Sequence, residues 1–351
     1  MKDATFAARV IAWQKRHGRH ELPWQNTRDP YRIWLSEIML QQTQVGTVIP
    51  YYVRFLEKFP TLRDLARASE DEVLALWSGL GYYSRGRNLL RAARIVAEQF
   101  GGAFPKAMDD ILALPGIGQS TAAAISAFAF GERQAILDGN VKRVFARHFG
   151  VAGFPGEKKI EAKLWSVANA ALPKKNIEAY TQGLMDLGAA LCLRARPLCP
   201  VCPVEEHCVA KRDGRIQELP TPRPKKAVPE KSTTMLIIVH AGEVLLEKRP
   251  PTGVWAGMWC FPELINGASA REACRERYGL ETKSLKPWSV LQHGFTHFKL
   301  SITPQPIAVQ KKLLRAAEPG VIWLSVSDAL NAAIPKPVRA LLIKLDEIKE
   351  M

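Results

Sequence analysis

The chain has 351 residues, 47% of them hydrophobic, and carries a formal net charge of +15. That length exceeds one ordinary core, so two domains are expected, and the composition excludes a disordered or fibrous chain. No apolar run approaches the roughly 18 residues of a membrane span, and Lys2, Asp3 and Arg9 interrupt any signal-peptide core, so a soluble cytoplasmic protein with no membrane contact is expected.

The charge is uneven. Residues 1–231 hold 34 Lys and Arg against 23 Asp and Glu, whereas the remaining 120 hold 15 against 11. A basic first part suits a polyanionic partner, for which counterion release dominates affinity.

In chain order, residues 5–17 read as an amphipathic helix, and Pro23 and Pro30 break the chain beyond it. A helical run from Tyr31 then carries Glu37 among Leu35, Ile38 and Met39. Burial there raises the pKa of a carboxyl and makes Glu37 a candidate general acid near neutral pH. Gln41, Gln42, Thr43 and Gln44 come after it, a cluster rich in amides that can read base edges. Residues 61–100 hold two helical patterns around Trp77-Ser78-Gly79-Leu80-Gly81-Tyr82-Tyr83. Tyr82 and Tyr83 are placed to stack on or wedge between bases, and Arg87, Arg91 and Arg94 fall along one helical face.

The next stretch reads as a helix over 109–113, the turn Leu114-Pro115-Gly116-Ile117-Gly118, and a second helix over 121–130. The glycines permit a tight turn and close approach of a partner, and the unpaired amides that open the second helix suit a phosphate. Asp138 stands beyond it in a Gly/Asn turn, Leu137-Asp138-Gly139-Asn140-Val141-Lys142-Arg143. Residues 157–191 are again helical, and Cys192, Cys199, Cys202 and Cys208 come next with the spacing C-x6-C-x2-C-x5-C. Four cysteines so close together, without a secretory signal, indicate a metal site, either zinc or an iron–sulfur cluster. Arg194 and Arg196 lie between the first two cysteines, placed to touch phosphate, whereas Cys260 and Cys274 read as buried apolar residues.

Pro220, Pro222, Pro224 and Pro229, with Arg223, Lys225 and Lys226, mark a semi-rigid linker over 216–231. Strands are expected at 235–239, 244–247, 287–292 and 297–303, and helices at 270–278 and 335–349. The spacing from Gly257 through Glu263 to Arg271-Glu272-Ala273 and Glu276 resembles a Nudix box, the magnesium-binding helix of nucleoside-diphosphate hydrolases. Arg275, however, stands where the first of two adjacent glutamates is expected, and Tyr278 displaces the glycine to Gly279. A cation in place of a ligand argues for a fold used in binding rather than hydrolysis.

Together, Leu114 to Gly118, the Asp138 turn and the four cysteines resemble the helix-hairpin-helix DNA glycosylases with an iron–sulfur cluster. The segment Trp34 to Gln44 and the altered Nudix-like tail narrow the resemblance to the MutY-type adenine glycosylases. The resemblance implies a multidomain protein: an all-α helix-hairpin-helix glycosylase domain over 1–215, with the hairpin at about 107–130 and the iron–sulfur loop at 192–208, then an α/β Nudix-like domain over 232–351. It implies hydrolysis of the N-glycosidic bond of adenine mispaired with 8-oxoguanine or guanine in double-stranded DNA, by a monomer at the bacterial nucleoid. Glu37 is the implied acid at adenine N7, Asp138 the carboxylate that stabilises the cationic sugar, and Asn140 its support. Ser120 stands where bifunctional relatives place a Schiff-base lysine, so strand cleavage is not expected. Cys192, Cys199, Cys202 and Cys208 are the implied ligands of one [4Fe-4S] cluster. Gln41, Gln42, Tyr82, Gly116, Gly118, Lys142, Arg194 and Arg196 are the implied DNA contacts, with Gln42 and Tyr82 as wedges. Phe295, Thr296 and His297 match a loop that reads the oxidised guanine. The alternatives are a glycosylase/lyase acting on oxidised pyrimidines and a non-catalytic mismatch-binding protein.

Overall fold

Between Ala4 and Arg212 the described residues form twelve α-helices and no strand: α1 (Ala4–His17), α2 (Pro30–Leu40), α3 (Val45–Lys58), α4 (Leu62–Arg67), α5 (Glu70–Trp77), α6 (Ser84–Gln99), α7 (Met108–Ala113), α8 (Gln119–Phe130), α9 (Gly139–His148), α10 (Lys158–Ala171), α11 (Ile177–Asp186) and α12 (Val209–Arg212). These come from a computed structural model that describes residues 4–224, 227–264, 268–313 and 319–350. Lys225 and Lys226 of the expected linker lie outside the described residues. The chain divides into two compact units, Met1–Ala66 with Arg91–Lys225, and Arg67–Leu90 with Lys226–Met351.

In the helical unit, some helix ends have a clear local chemical cause. Asp29 caps α2 by accepting a hydrogen bond from Tyr31 N at 2.9 Å, with Pro30 in the first turn. The apolar residues of α2, Trp34, Leu35, Ile38 and Met39 among them, are buried, and α2 packs on α8. α8 is built largely of Ala, which brings neighbouring backbones close, and Gly131 ends it in the left-handed conformation at φ +70°. α7 and α8 pack on each other as the hairpin whose turn is Leu114 to Gly118. A single turn of π-helix, Leu187–Leu191, continues α11 into Cys192. The Pro-rich stretch is held at both ends. Leu219 is buried and Thr221 Oγ1 accepts from Gly153 N at 3.0 Å, and the first strand of the other unit begins at Glu230.

That unit contains β1 (Glu230–His240), β2 (Glu243–Lys248), β3 (Trp259–Cys260), β4 (Glu263–Leu264), α13 (Ala270–Tyr278), β5 (Leu280–Ser284), β6 (Leu291–Gly294), β7 (Lys299–Lys312), β8 (Val321–Ser325), α14 (Val326–Asn331) and α15 (Lys336–Glu350). The sheet runs β3-β2-β1-β7-β5, with β4, β6 and β8 added to β1, β7 and β2. β1 and β7 are parallel over Glu230–Val239, and the other pairs are antiparallel. The unbroken apolar run Met235 to Ile238 is buried on both faces, as a strand covered by helices requires. Met235 and Ile237 join Val338 and Leu342 of α15 in one core, and Leu236 and Ile238 join Cys274 of α13 in the other. Cys260 and Cys274 are both buried.

The strand expected at 287–292 is confined to Leu291–Gly294. Pro304 and Pro306 of β7 have no N–H to offer that side of the sheet. The segment before Leu291 therefore makes one-sided bonds only, Leu285 N to Pro306 O at 3.0 Å and Trp288 N to Pro304 O at 2.9 Å, and regular pairing begins at Leu291 opposite Ile302.

Residues 67–90 are part of this second unit, which the sequence pattern does not reveal. Leu74 is fully buried in the core of β1, β2 and α15. Ser78 Oγ donates to Ile334 O at 2.6 Å and accepts from Arg339 at 3.1 Å, and Lys248 pairs with Asp71 at 2.7 Å. Arg87, read as part of a basic face, donates instead to the carbonyl of Ala256.

Candidate active site

In the helical unit, Glu37 lines two adjoining cavities. One, of about 730 Å³, includes Trp24, Ile33, Phe128 and Gln182; the other, of about 1030 Å³, includes Gln42, Ser120, Asp138 and Asn140. Burial pushes the Glu37 carboxyl up to about 8, and the Asp138 charge adds in the same direction. On the side of the first cavity, the buried Asp186 accepts from Arg19 at 2.6 Å and from Gln182 at 2.9 Å. Both donors face the space beside Glu37, and sequence reasoning identifies neither.

Asp138 caps α9 and accepts from Val141 N at 2.7 Å. Burial raises its pKa, whereas the amides of Val141 and Asn140 and the cations Arg143 and Lys142 oppose that rise. The net direction is upward, with burial the largest influence. The two environments remain unequal. Glu37 has only influences that favour its proton, and Asp138 has a helix N-terminus that favours its charge.

Ser120 Oγ accepts from Leu137 N at 3.0 Å and so fixes the residue before Asp138. Asn140 Oδ1 accepts from Arg143 Nη2 at 2.9 Å. Arg143 also donates to Gly188 O at 2.6 Å and to Cys192 O at 2.7 Å, joining the Asp138 helix to the start of the cysteine loop. Gly188 lies against Asn140, and a Cβ built on it would stand 2.6 Å from the Asn140 Cβ. The sequence does not single out Arg143 or Gly188. The one available signal is that Arg143 lies three residues beyond Asn140, on the same face of a helix.

Around the hairpin, Gly116 has φ +83°, a backbone that demands glycine. Gly118 and Gly139 are different: a Cβ on either would meet nothing within 4 Å, so nothing inside the chain requires glycine there. Both positions open the way to helix amides. Gln41 is turned inward, with Nε2 3.3 Å from Gly116 O and 3.4 Å from Thr121 Oγ1, whereas Gln42 is exposed at φ +57°. Lys142 is engaged by Glu161 at 2.5 Å, and Arg194 and Arg196 are exposed.

Cys192, Cys199, Cys202 and Cys208 line one pocket with the apolar side chains Val144, Leu187 and Val204. Burial pushes Cys202 up to about 11, opposed by a backbone hydrogen bond at Val204 and reinforced by the other three cysteines; burial also raises Cys208. Buried thiols such as Cys202 and Cys208 need a cationic centre to hold them as thiolates. The donor set fits a metal-containing group on that ground. Among the described residues no three His, Cys, Asp or Glu side chains gather closely enough to hold a single metal ion.

In the second unit, Phe295 stacks on Phe298 at 4.3 Å between ring centroids and meets the edge of His293 at 4.7 Å. Thr296 and His297 are exposed beside it. Thr296 Oγ1 lies 3.1 Å from the hydroxyl of Tyr82, which is itself 45% exposed, so the fold brings together two segments that the sequence separates widely. Tyr82 has φ +48°, and the Arg85 guanidinium lies over its ring at 5.4 Å. At the Nudix-like helix, Arg277 pairs with Glu247 at 2.5 Å and Arg249 with Glu263 at 3.1 Å. A guanidinium thus occupies Glu263, a carboxylate of the Nudix-like spacing.

Residues 35–170 match the family model described as HhH-GPD superfamily base excision DNA repair protein, and residues 233–344 match the NUDIX domain model. An adenine DNA glycosylase of Buchnera aphidicola subsp. Acyrthosiphon pisum is 35% identical over 339 residues, covering 96% of this chain and 96% of the relative. The human adenine DNA glycosylase is 32% identical over 392 residues, covering 94% of this chain and 72% of the relative. Among solved structures, a thermostable thymine-DNA glycosylase aligns with a TM-score of 0.55 at 31% identity, over 60% of this chain and 96% of that one. An endonuclease III–DNA complex aligns at 0.51 and 21% identity over 60% of this chain and 95% of the other, which shows the shared helical fold.

Proposed function

The chain belongs to the adenine DNA glycosylase family, and from that premise we propose that it removes adenine mispaired with 8-oxoguanine, or with guanine, from double-stranded DNA in the bacterial cytoplasm. It is a base-excision repair hydrolase that breaks the N-glycosidic bond. The observation that carries the reading is the pair Glu37 and Asp138, which line one cavity in unequal electrostatic surroundings.

A base inside a duplex is out of reach, so the adenine is flipped out at a cost of a few kcal/mol. Glu37, protonated at neutral pH, gives its proton to adenine N7 and turns the base into a neutral leaving group. Asp138, held by the amides of α9, stabilises the positive charge that grows on the sugar until water attacks. Ser120 and Asn140 position that carboxylate through Leu137 and Arg143. Ser120 has no amine for a Schiff base, so the abasic strand is left intact. Gln42 and Tyr82 wedge the duplex, and Gly116, Gly118, Arg194 and Arg196 meet its backbone. Lys142 acts beside them from its ion pair with Glu161. Phe295, Thr296 and His297 read the oxidised guanine, a role supported by the bond between Thr296 and Tyr82. Cys192, Cys199, Cys202 and Cys208 hold one [4Fe-4S] cluster, which when bound supplies a fixed shape to the loop bearing Arg194 and Arg196.

A single-turnover assay on a duplex with adenine opposite 8-oxoguanine tests this reading, with strand breaks scored before and after alkali. Adenine release with breaks only after alkali is the expected result. Direct nicking, or nicking of a thymine-glycol duplex, supports a lyase instead, and binding without base release supports an inert mismatch reader.

Gly188 gives an independent check on the support for Asp138. Gly188→Ala is expected to push Asn140 aside, slowing adenine release by about tenfold or more while costing about 1–3 kcal/mol of stability. Single-turnover rates and thermal melting measure the two effects. A wild-type rate would show that Asn140 placement does not matter.

A further inference from the structure

Arg147 of α9 is only 4% exposed, yet among the described residues no carboxylate pairs with it. Its guanidinium donates to four neutral carbonyls: Ile216 at 3.1 Å, Leu219 at 2.8 Å, Leu193 at 2.6 Å and Arg194 at 2.9 Å. Its remaining partner is sulfur, with Nη1 3.5 Å from Cys192 Sγ, and the Arg147 carbonyl in turn lies 3.6 Å from Cys208 Sγ. One turn earlier on the same helix, Arg143 reaches the Cys192 carbonyl and brings a second guanidinium toward the same cysteine. A buried cation surrounded by neutral acceptors and a like charge is unfavourable unless an anion lies close by. Four thiolates around an iron–sulfur core carry a net negative charge. Of the cations within the loop and just after it, Lys211 pairs with Glu205, and Arg194 and Arg196 are exposed to solvent.

We propose that Arg147 is the buried countercharge of the cysteine-bound cluster, a positioning residue that acts through Cys192 to set how readily the cluster is oxidised and lost. The same side chain pins Ile216 and Leu219, so the charge that steadies the cluster also closes the loop behind it. The inference rests on the reading of the four cysteines as cluster ligands, and iron analysis of the purified full-length protein examines that reading first. About four irons per chain are expected; a protein without iron overturns both.

Arg147→Gln and Arg147→Lys are then compared with the wild type. Two quantities are read: the rate at which visible absorption disappears in the presence of an iron chelator, and the midpoint potential of the cluster's one-electron oxidation at an electrode. Arg147→Gln removes the charge and is expected to lose iron at least about tenfold faster, with a midpoint shifted to more negative potential. Arg147→Lys keeps the charge and is expected to keep a midpoint close to wild type. A midpoint and loss rate in Arg147→Gln equal to wild type overturn the proposal. So does an Arg147→Lys protein that behaves like Arg147→Gln, because the hydrogen-bonded fork and not the charge would then be responsible. If Arg147→Gln does not fold by circular dichroism, Arg147→Lys decides: an unchanged midpoint supports the proposal and a shifted one overturns it.

Discussion

Asp138→Asn is expected to slow adenine release in a single turnover by about a thousandfold. A carboxylate about 4 Å from a developing unit positive charge is worth roughly 4 kcal/mol at an effective dielectric near 20. Each 1.4 kcal/mol or so is a factor of ten in rate. Asn is isosteric with Asp, and its side-chain oxygen still accepts from Val141 N, which Asp138 now caps at 2.7 Å. The fold should therefore survive. Binding to the mispaired duplex should hold or tighten, since a negative charge is removed from a site that faces DNA. A rate within tenfold of wild type, measured on protein with a normal melting curve, would exclude Asp138 as the group that stabilises the sugar cation.

Glu37→Gln should show a trade: lost chemistry with gained stability. Removing the proton donor is expected to cost about two to four orders of magnitude in rate. Wild-type activity should itself decline as pH rises through about 8, where Glu37 gives up its proton. For stability, the folded pKa of about 8 lies above the unfolded value of 4.5. Below the unfolded value both states hold the proton and the folded state is not penalised. As pH rises toward 8 the unfolded chain ionises while the folded one does not, so stability is progressively lost. Glutamine has no such proton, and its advantage should grow across that window to a few kcal/mol in order of magnitude. Thermal melts of both proteins at pH 5 and pH 8 measure it. A melting difference independent of pH would mean that Glu37 is not a buried, protonated acid.

Local patterns carry much of this architecture. The apolar flanks of Glu37 announce a carboxyl set among buried side chains, and the run from Met235 to Ile238 announces a strand covered on both sides. The helix at Ala270–Tyr278 is legible to the residue because Ser269 caps it and Gly279 ends it. What stays hidden depends on distant segments meeting. Arg143 and Gly188 act on Asn140 across the fold, and Asp186 organises Arg19 and Gln182 from far along the chain. Neither arrangement has a periodicity to read. The strand expected near Pro287 fails for a different reason: the residues suit a strand, but prolines in its partner deny it donors.

The inclusion of residues 67–90 in the second unit bears on how this protein could be recombined. A tail beginning at 226 looks like a cassette, contiguous and bounded by prolines. Transplanted alone onto another helical body it would arrive with a void where Leu74 sits at 0% exposure, a deficit of about 2–5 kcal/mol by analogy with large-to-small core replacements. It would also lack Tyr82, the partner of Thr296. The second unit is built from two stretches of chain, and a chimaera that keeps its core must carry both.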